Sequence, residues 1–178
     1  MNEDKIKIIG TWKEFDKQES EGVINFDESN EYIKNLKLLN IFIEINGEII
    51  NWNYIDPYIL KNYWFDHKSK HIENYKYSCF ELFTCSCGVA GCAGIWDGIY
   101  IKNRKHSIEW RLSERDGYKF MPKKFYSFDK KEYTKAYEDF MNWLREEKSI
   151  NKKLCVDLGY YEGDELSVED FLNKKPNF

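Results

Sequence analysis

The chain has 178 residues, and its 27 Lys and Arg against 31 Asp and Glu leave a net charge of −4. At that length a single domain over residues 1–178 is expected, able to bury roughly 70% of the surface of the unfolded chain without a disulfide or metal staple. A hydrophobic content of 42% excludes wholesale disorder, and the uncharged run from Leu82 to Trp96, only 15 residues long and broken by cysteines and glycines, is too short and too polar for a membrane span.

Taken in chain order, residues 5–15 and 22–27 alternate apolar and polar side chains as strands do, whereas Glu31 to Leu39 is ambiguous and compatible with a short helix. Ile41-Phe42-Ile43-Glu44-Ile45, then Asn46-Gly47, then Glu48-Ile49-Ile50-Asn51-Trp52 predicts a hairpin. Its two-residue type I′ turn needs positive φ at both central positions, which Asn and Gly tolerate. Beyond Pro57, residues 58–75 are rich in Tyr and Trp without a period. Ser78 to Thr84, Ile95 to Lys102 and Ser107 to Leu112 read as three strands of a meander, the last with Ile108, Trp110 and Leu112 on one face and Glu109 and Arg111 on the other.

Phe128-Asp129-Lys130-Lys131-Glu132-Tyr133 combines an N-cap Asp, a Glu at the third helical position and a Phe/Tyr staple. It opens a helix whose Tyr133, Ala136, Tyr137, Phe140, Trp143 and Leu144 form one apolar stripe. A second, shorter helix is expected from Ser167, with Asp170 at its third position and Leu166 and Phe171 as its staple. The expected fold class is α+β: a mostly antiparallel sheet, built from the hairpin and the meander, with helices on one face.

Three of the five cysteines lie in Thr84-Cys85-Ser86-Cys87-Gly88-Val89-Ala90-Gly91-Cys92. Gly88 and Gly91 allow a tight turn that aims Cys85, Cys87 and Cys92 at one point, and thiolates are soft ligands that zinc favours. The acidic start, Met1 to Lys5, lacks the basic and apolar regions of an export signal, so a cytoplasmic setting with reduced thiols is expected. The spacing C-x-C-x4-C differs from the common C-x2-C, and a packed turn of buried free cysteines explains it equally well. A reactive thiol or a Cys85–Cys92 disulfide is less favoured, since no Lys, Arg or His between Glu81 and Trp96 would lower a thiol pKa.

For a fourth ligand to this knuckle of Cys85, Cys87 and Cys92, a straight strand of about 3.3 Å per residue puts His106 roughly 25 Å and Cys79 roughly 20 Å away. The candidates left open are Cys155, the pair His67 and His71, and an acidic residue such as Glu114 or Asp116. With Leu82 to Cys92, the strand containing Trp110 and the helix start Phe128 to Tyr133, residues 77–147 resemble a group of uncharacterised bacterial proteins with a T-C-x-C-G-x-x-G-C signature. That resemblance implies no known activity.

His67 and His71 stand four apart, but no H-E-x-x-H surrounds them, and an exposed pair is the plainer reading. There is no Walker-type loop, no G-x-S-x-G elbow and no G-x-G-x-x-G. The basic clusters Lys102 to His106 and Lys119 to Lys124 are short, and a pI near 5.5 argues against a nucleic-acid partner. Asp157, Glu162, Asp164, Glu165, Glu169 and Asp170 make the end of the chain acidic.

Two functional classes follow from this pattern. In the favoured one the chain is a small acidic binder of a basic protein, an enzyme or toxin, as immunity proteins, antitoxins and counter-defence factors are, with the knuckle as a structural zinc site. Trp52, Tyr54, Tyr58, Tyr63 and Trp64 are the expected docking patch, although the same rings would serve equally as core. In the other class, zinc on Cys85, Cys87 and Cys92 keeps an open position for water and the protein is a hydrolase-like enzyme, for which the sequence offers no general base.

Overall fold

The computed structural model describes residues 3–14, 37–50, 54–55, 57–65, 78–80, 82–84, 99–112, 125–150, 154–158 and 165–173. Strands β1 (Ile6–Glu14) and β2 (Lys37–Ile45) pair antiparallel without a slip, from Ile6 opposite Ile45 to Glu14 opposite Lys37. Period-two patterning sets that register: Ile6, Ile8, Leu39, Ile41, Ile43 and Ile45 are buried, while Lys7 and Glu44 face each other across the strands at 3.0 Å on the other side. β2 turns back through Asn46 (φ 56°) and Gly47 (φ 88°) into β3 (Glu48–Ile49), which is the expected hairpin with its left-handed turn residues. Lys37, Leu38 and Leu39, the end of the stretch compatible with a short helix, are strand; residues 22–27 and 31–36 lie outside the described residues.

The same edge of β2 carries a second partner. β10 (Leu154–Leu158) runs parallel to the start of β2, with Leu154 opposite Lys37, and β11 (Glu165–Ser167) returns antiparallel to β10. The β2–β10 pairing is the one parallel ladder among the described strands, so the sheets are α+β in type and mostly antiparallel, as expected. α3 (Val168–Asn173) follows at once, starting after Ser167 as expected and burying Val168 and Phe171.

The meander forms a second sheet in the order β5 (Ser78–Phe80), β7 (Ile99–Asn103), β8 (Ser107–Leu112), β9 (Phe125–Asp129). β9 is a strand that the sequence reading did not include. It places Tyr126 opposite Trp110 and Phe128 opposite Ile108, continuing the buried face of β8. The expected single strand from Ser78 to Thr84 is divided: β5 joins the meander, whereas β6 (Phe83–Thr84) pairs with β4 (Tyr54–Ile55) in a separate two-stranded sheet. Fully buried Leu82 sits at the break.

Asp4 joins the two larger sheets. It makes a parallel bridge to Phe128, its N–H donates to the Ser127 carbonyl at 2.8 Å, and its Oδ2 accepts the Ser127 N–H at 2.9 Å. Its Oδ1 accepts from Nδ2 of Asn46 at 2.9 Å, so one carboxylate holds both the hairpin turn and the edge of the meander. Such a carboxylate, only 8% exposed, is tolerable in the interior because its lone pairs are used.

From β9 the chain passes directly into α2 (Lys130–Ile150). Asp129 Oδ1 accepts from the Lys131 N–H at 2.8 Å and the Glu132 N–H at 3.1 Å, satisfying two donors that a helix start leaves open. Phe128 and Tyr133 meet with ring centroids 5.8 Å apart, closing the expected staple. Of the stripe, Tyr133, Ala136, Phe140 and Leu144 are buried together with Met141, while Tyr137 and Trp143 are half-buried against the same cluster. Each large side chain buried this way contributes about 1.5–3 kcal/mol. α2 touches β1 as well as β8 and β9, so residues from both large sheets share one hydrophobic cluster.

Candidate functional site

Cys85, Cys87 and Cys92 lie outside the described residues, as do Trp52, His67, His71, Glu114 and Asp116. What the structure places is the framework on either side of the knuckle. Thr84, immediately before Cys85, is the last residue of β6 and stands opposite Tyr54 of β4, with Ile55 opposite Phe83. Thr84 and Tyr54, 30 residues apart in the chain, therefore meet at one short ladder. On the far side the chain enters β7 at Ile99, paired to Leu112, so the segment after β8 leaves the meander at the end where the knuckle segment enters. Exposed His106 is at the opposite turn, as expected.

The straight-strand distance expected between Cys79 and Cys85 does not apply, because the chain changes sheets between Phe80 of β5 and Phe83 of β6. Cys79 is opposite Tyr100 in the meander and Cys155 is opposite Leu38 and Ser167 in the other large sheet. Among the described residues no group of three or more His, Cys, Asp or Glu is placed to hold a metal.

The aromatic stretch resolves in part into a helix. α1 (Pro57–Tyr63) begins with Pro at its first position, where a missing N–H costs nothing, and it buries Pro57 and Leu60. With Trp64 they repeat at spacings of three and four, a signal present in the sequence and obscured there by interleaved tyrosines. Lys61, on the last turn, donates to the Phe171 carbonyl and, at 3.4 Å, to the Leu172 carbonyl, and lies 4.7 Å from the Phe171 ring centroid. It thereby places a cation at the C-terminal end of α3, where the helix carbonyls favour one.

Trp64 corrects the expected docking patch. It is 0% exposed, stacks on Tyr133 at 4.4 Å and 11°, and meets Trp110 edge-on at 5.9 Å. Its Nε1–H donates to the Tyr133 carbonyl at 3.2 Å, so both the ring and its polar handle are used in the core. The neighbouring Phe65 behaves differently: it is 49% exposed and rests edge-on against Tyr137 at 4.9 Å. The backbones of Tyr54, Tyr58 and Tyr63 are placed in β4 and α1, and their side chains lie outside the described residues.

Burial pushes the Tyr133 hydroxyl well above the ordinary tyrosine range, only partly offset by the Trp110 side chain; burial also raises Tyr137, with Arg145 pulling the other way. For a hydroxyl raised in the fold, the stability it contributes is complete below the unfolded pKa near 10 and is lost as pH climbs through the folded value, because only the unfolded chain then gives up the proton. Urea unfolding between about pH 9 and pH 11 should accordingly show stability falling with pH, and Tyr133→Phe should flatten that fall. Identical pH slopes for the two proteins would mean that Tyr133 ionises as freely in the fold as outside it.

No helix among the described residues is long and apolar enough to cross a membrane. No family model matches the chain, and no match to it was found among curated proteins or solved structures.

Proposed function

We propose that this chain is a binding protein for a basic protein partner, in the manner of immunity proteins and antitoxins, with Cys85, Cys87 and Cys92 holding a structural zinc that braces the segment between β6 and β7. The observation that carries the reading is Phe65. Beside a fully buried tryptophan it leaves half of a large apolar ring in water, supported from beneath by half-buried Tyr137. An exposed, propped ring at the end of an aromatic segment is the type of anchor that interfaces use, because little side-chain freedom remains to be lost on docking. Trp52, Tyr54, Tyr58 and Tyr63 are proposed to extend the patch, Trp64 is its buried support, and the net charge of −4 speeds encounter with a basic surface. Zinc on the knuckle would fix the chain just beyond Thr84, opposite Tyr54, and so stiffen the border of the same patch.

The test is co-purification of tagged protein from native lysate at low and high salt, beside a Phe65→Ser variant that leaves the core untouched. A basic partner should be retained at low salt, weakened at high salt and reduced at least about tenfold by Phe65→Ser, the scale of a modest interface anchor. Retention that ignores both salt and Phe65→Ser, or no retained partner, contradicts the reading.

A further inference from the structure

We propose that Asn46–Gly47 is a modification site: an asparagine whose deamidation is withheld while the Asp4 junction is closed, and whose conversion unlatches the hairpin from the meander. It is the only Asn-Gly pair in the chain, and nothing lies within 4 Å of where a side chain on Gly47 would begin. A following glycine leaves the next peptide nitrogen unhindered, which is the steric condition for an asparagine to cyclise on its own backbone. In that step the Gly47 nitrogen, losing its proton, bonds to Asn46 Cγ while the Cγ–Nδ2 bond breaks and Nδ2 departs as ammonia. Water then adds to one of the two carbonyls of the succinimide and opens the ring to aspartate or isoaspartate; no oxidant or reductant takes part.

The fold restrains this reaction at its first step. Asn46 Nδ2 donates to Asp4 Oδ1 at 2.9 Å, and its Oδ1 accepts the Lys5 N–H at 2.9 Å. Because Lys5 N–H can only donate and the carboxylate only accept, both ends of the carboxamide are committed and its orientation is fixed. The Asn46 N–H in turn donates to the Lys5 carbonyl at 3.0 Å, anchoring the left-handed turn from which the side chain projects. For the ring to close, the carboxamide must leave both partners and swing onto the Gly47 nitrogen, so the reaction waits on local opening of the first strand.

The product changes the junction's sign. Where Nδ2 donated, a carboxylate now faces Asp4, itself buried and also holding the Ser127 N–H. Two carboxylates at that separation repel, and parting Asp4 from residue 46 or from Ser127 relieves the repulsion. Isoaspartate also lengthens the turn backbone and breaks the two-residue geometry that sets Glu44 opposite Ile49.

Isoaspartate at position 46, located by peptide mapping, should accumulate at least about tenfold more slowly in the native chain than in the same chain unfolded in urea. At urea concentrations below the global transition, its rate should rise in step with amide exchange of Ser127. In folded Asn46→Asp the Ser127 amide should exchange at least about tenfold faster than in the wild type, and outright loss of the fold points the same way. Asn46→Gly keeps the turn without adding charge, so it should fall between the two. Equal deamidation in native and unfolded chains, or a rate indifferent to Ser127 opening, overturns the gating; unchanged Ser127 exchange in Asn46→Asp overturns the unlatching.

Discussion

Trp64→Ala is expected to cost about 3–5 kcal/mol of folding stability, the range for removing a large ring from a closed core. The indole is fully buried, stacked on Tyr133, edge-on to Trp110 and bonded to the start of α2, so its loss opens a cavity bordered by residues of α2 and β8. Because those neighbours are themselves large rings held by further packing, Trp110 on Phe128 at 5.2 Å and Tyr133 on Phe128 at 5.8 Å, the site has little freedom to collapse. The neighbouring substitution Phe65→Ala removes a half-exposed ring and should cost at most about 1 kcal/mol. Urea midpoints with unchanged m-values would measure both. A near-neutral Trp64→Ala would return that residue to the surface and the patch to its first composition.

Gly10→Val should cost about 3 kcal/mol, at the upper end of overpacking. A Cβ at Gly10 would overlap Cζ3, Cη2 and Cε3 of Trp143, the most distant of these only 2.7 Å away. Trp143 is poorly placed to move, since it stacks on Trp12 at 5.8 Å and on Phe140 at 5.9 Å. Trp12 is held in turn by an Nε1–H donated to Glu147 at 2.9 Å. The bare backbone at Gly10 is therefore what lets α2 lie close on β1. Trp143→Ala in the Gly10→Val background should recover part of the loss, because the two side chains compete for one space. A fully additive double mutant would show that the clash is relieved elsewhere.

Features set by neighbours in sequence are legible in the residues themselves. Asn46-Gly47 carries its own turn requirement, Asp129 with Glu132 and the Phe128/Tyr133 staple declare a helix start, and alternation in residues 5–15 declares a strand. What escaped depends on distant partners. β9 hides inside the helix-start motif because Phe128 serves both as the last buried residue of the strand and as the staple. β5 and β6 look like one strand because the switch of partner from β7 to β4 leaves no mark except Leu82, and the parallel pairing of β10 with β2 joins residues more than a hundred positions apart. Asp4 reads as one more surface acid until Asn46 and Ser127 are brought to it. At the candidate site, spacing alone marks the three cysteines, whereas the pairing of Thr84, the residue before them, with Tyr54 is a long-range contact that leaves no trace in the sequence.

The zinc content of the purified reduced protein, prepared without chelators, tests the central claim most directly. If Cys85, Cys87 and Cys92 hold a structural zinc next to the proposed binding surface, about one equivalent should accompany each chain, and Cys85→Ser should remove it and lower thermal stability, since a hydroxyl does not replace a ligating thiolate. Metal-free wild-type protein whose stability is unchanged by Cys85→Ser would contradict the account and leave the cysteines as a packed turn.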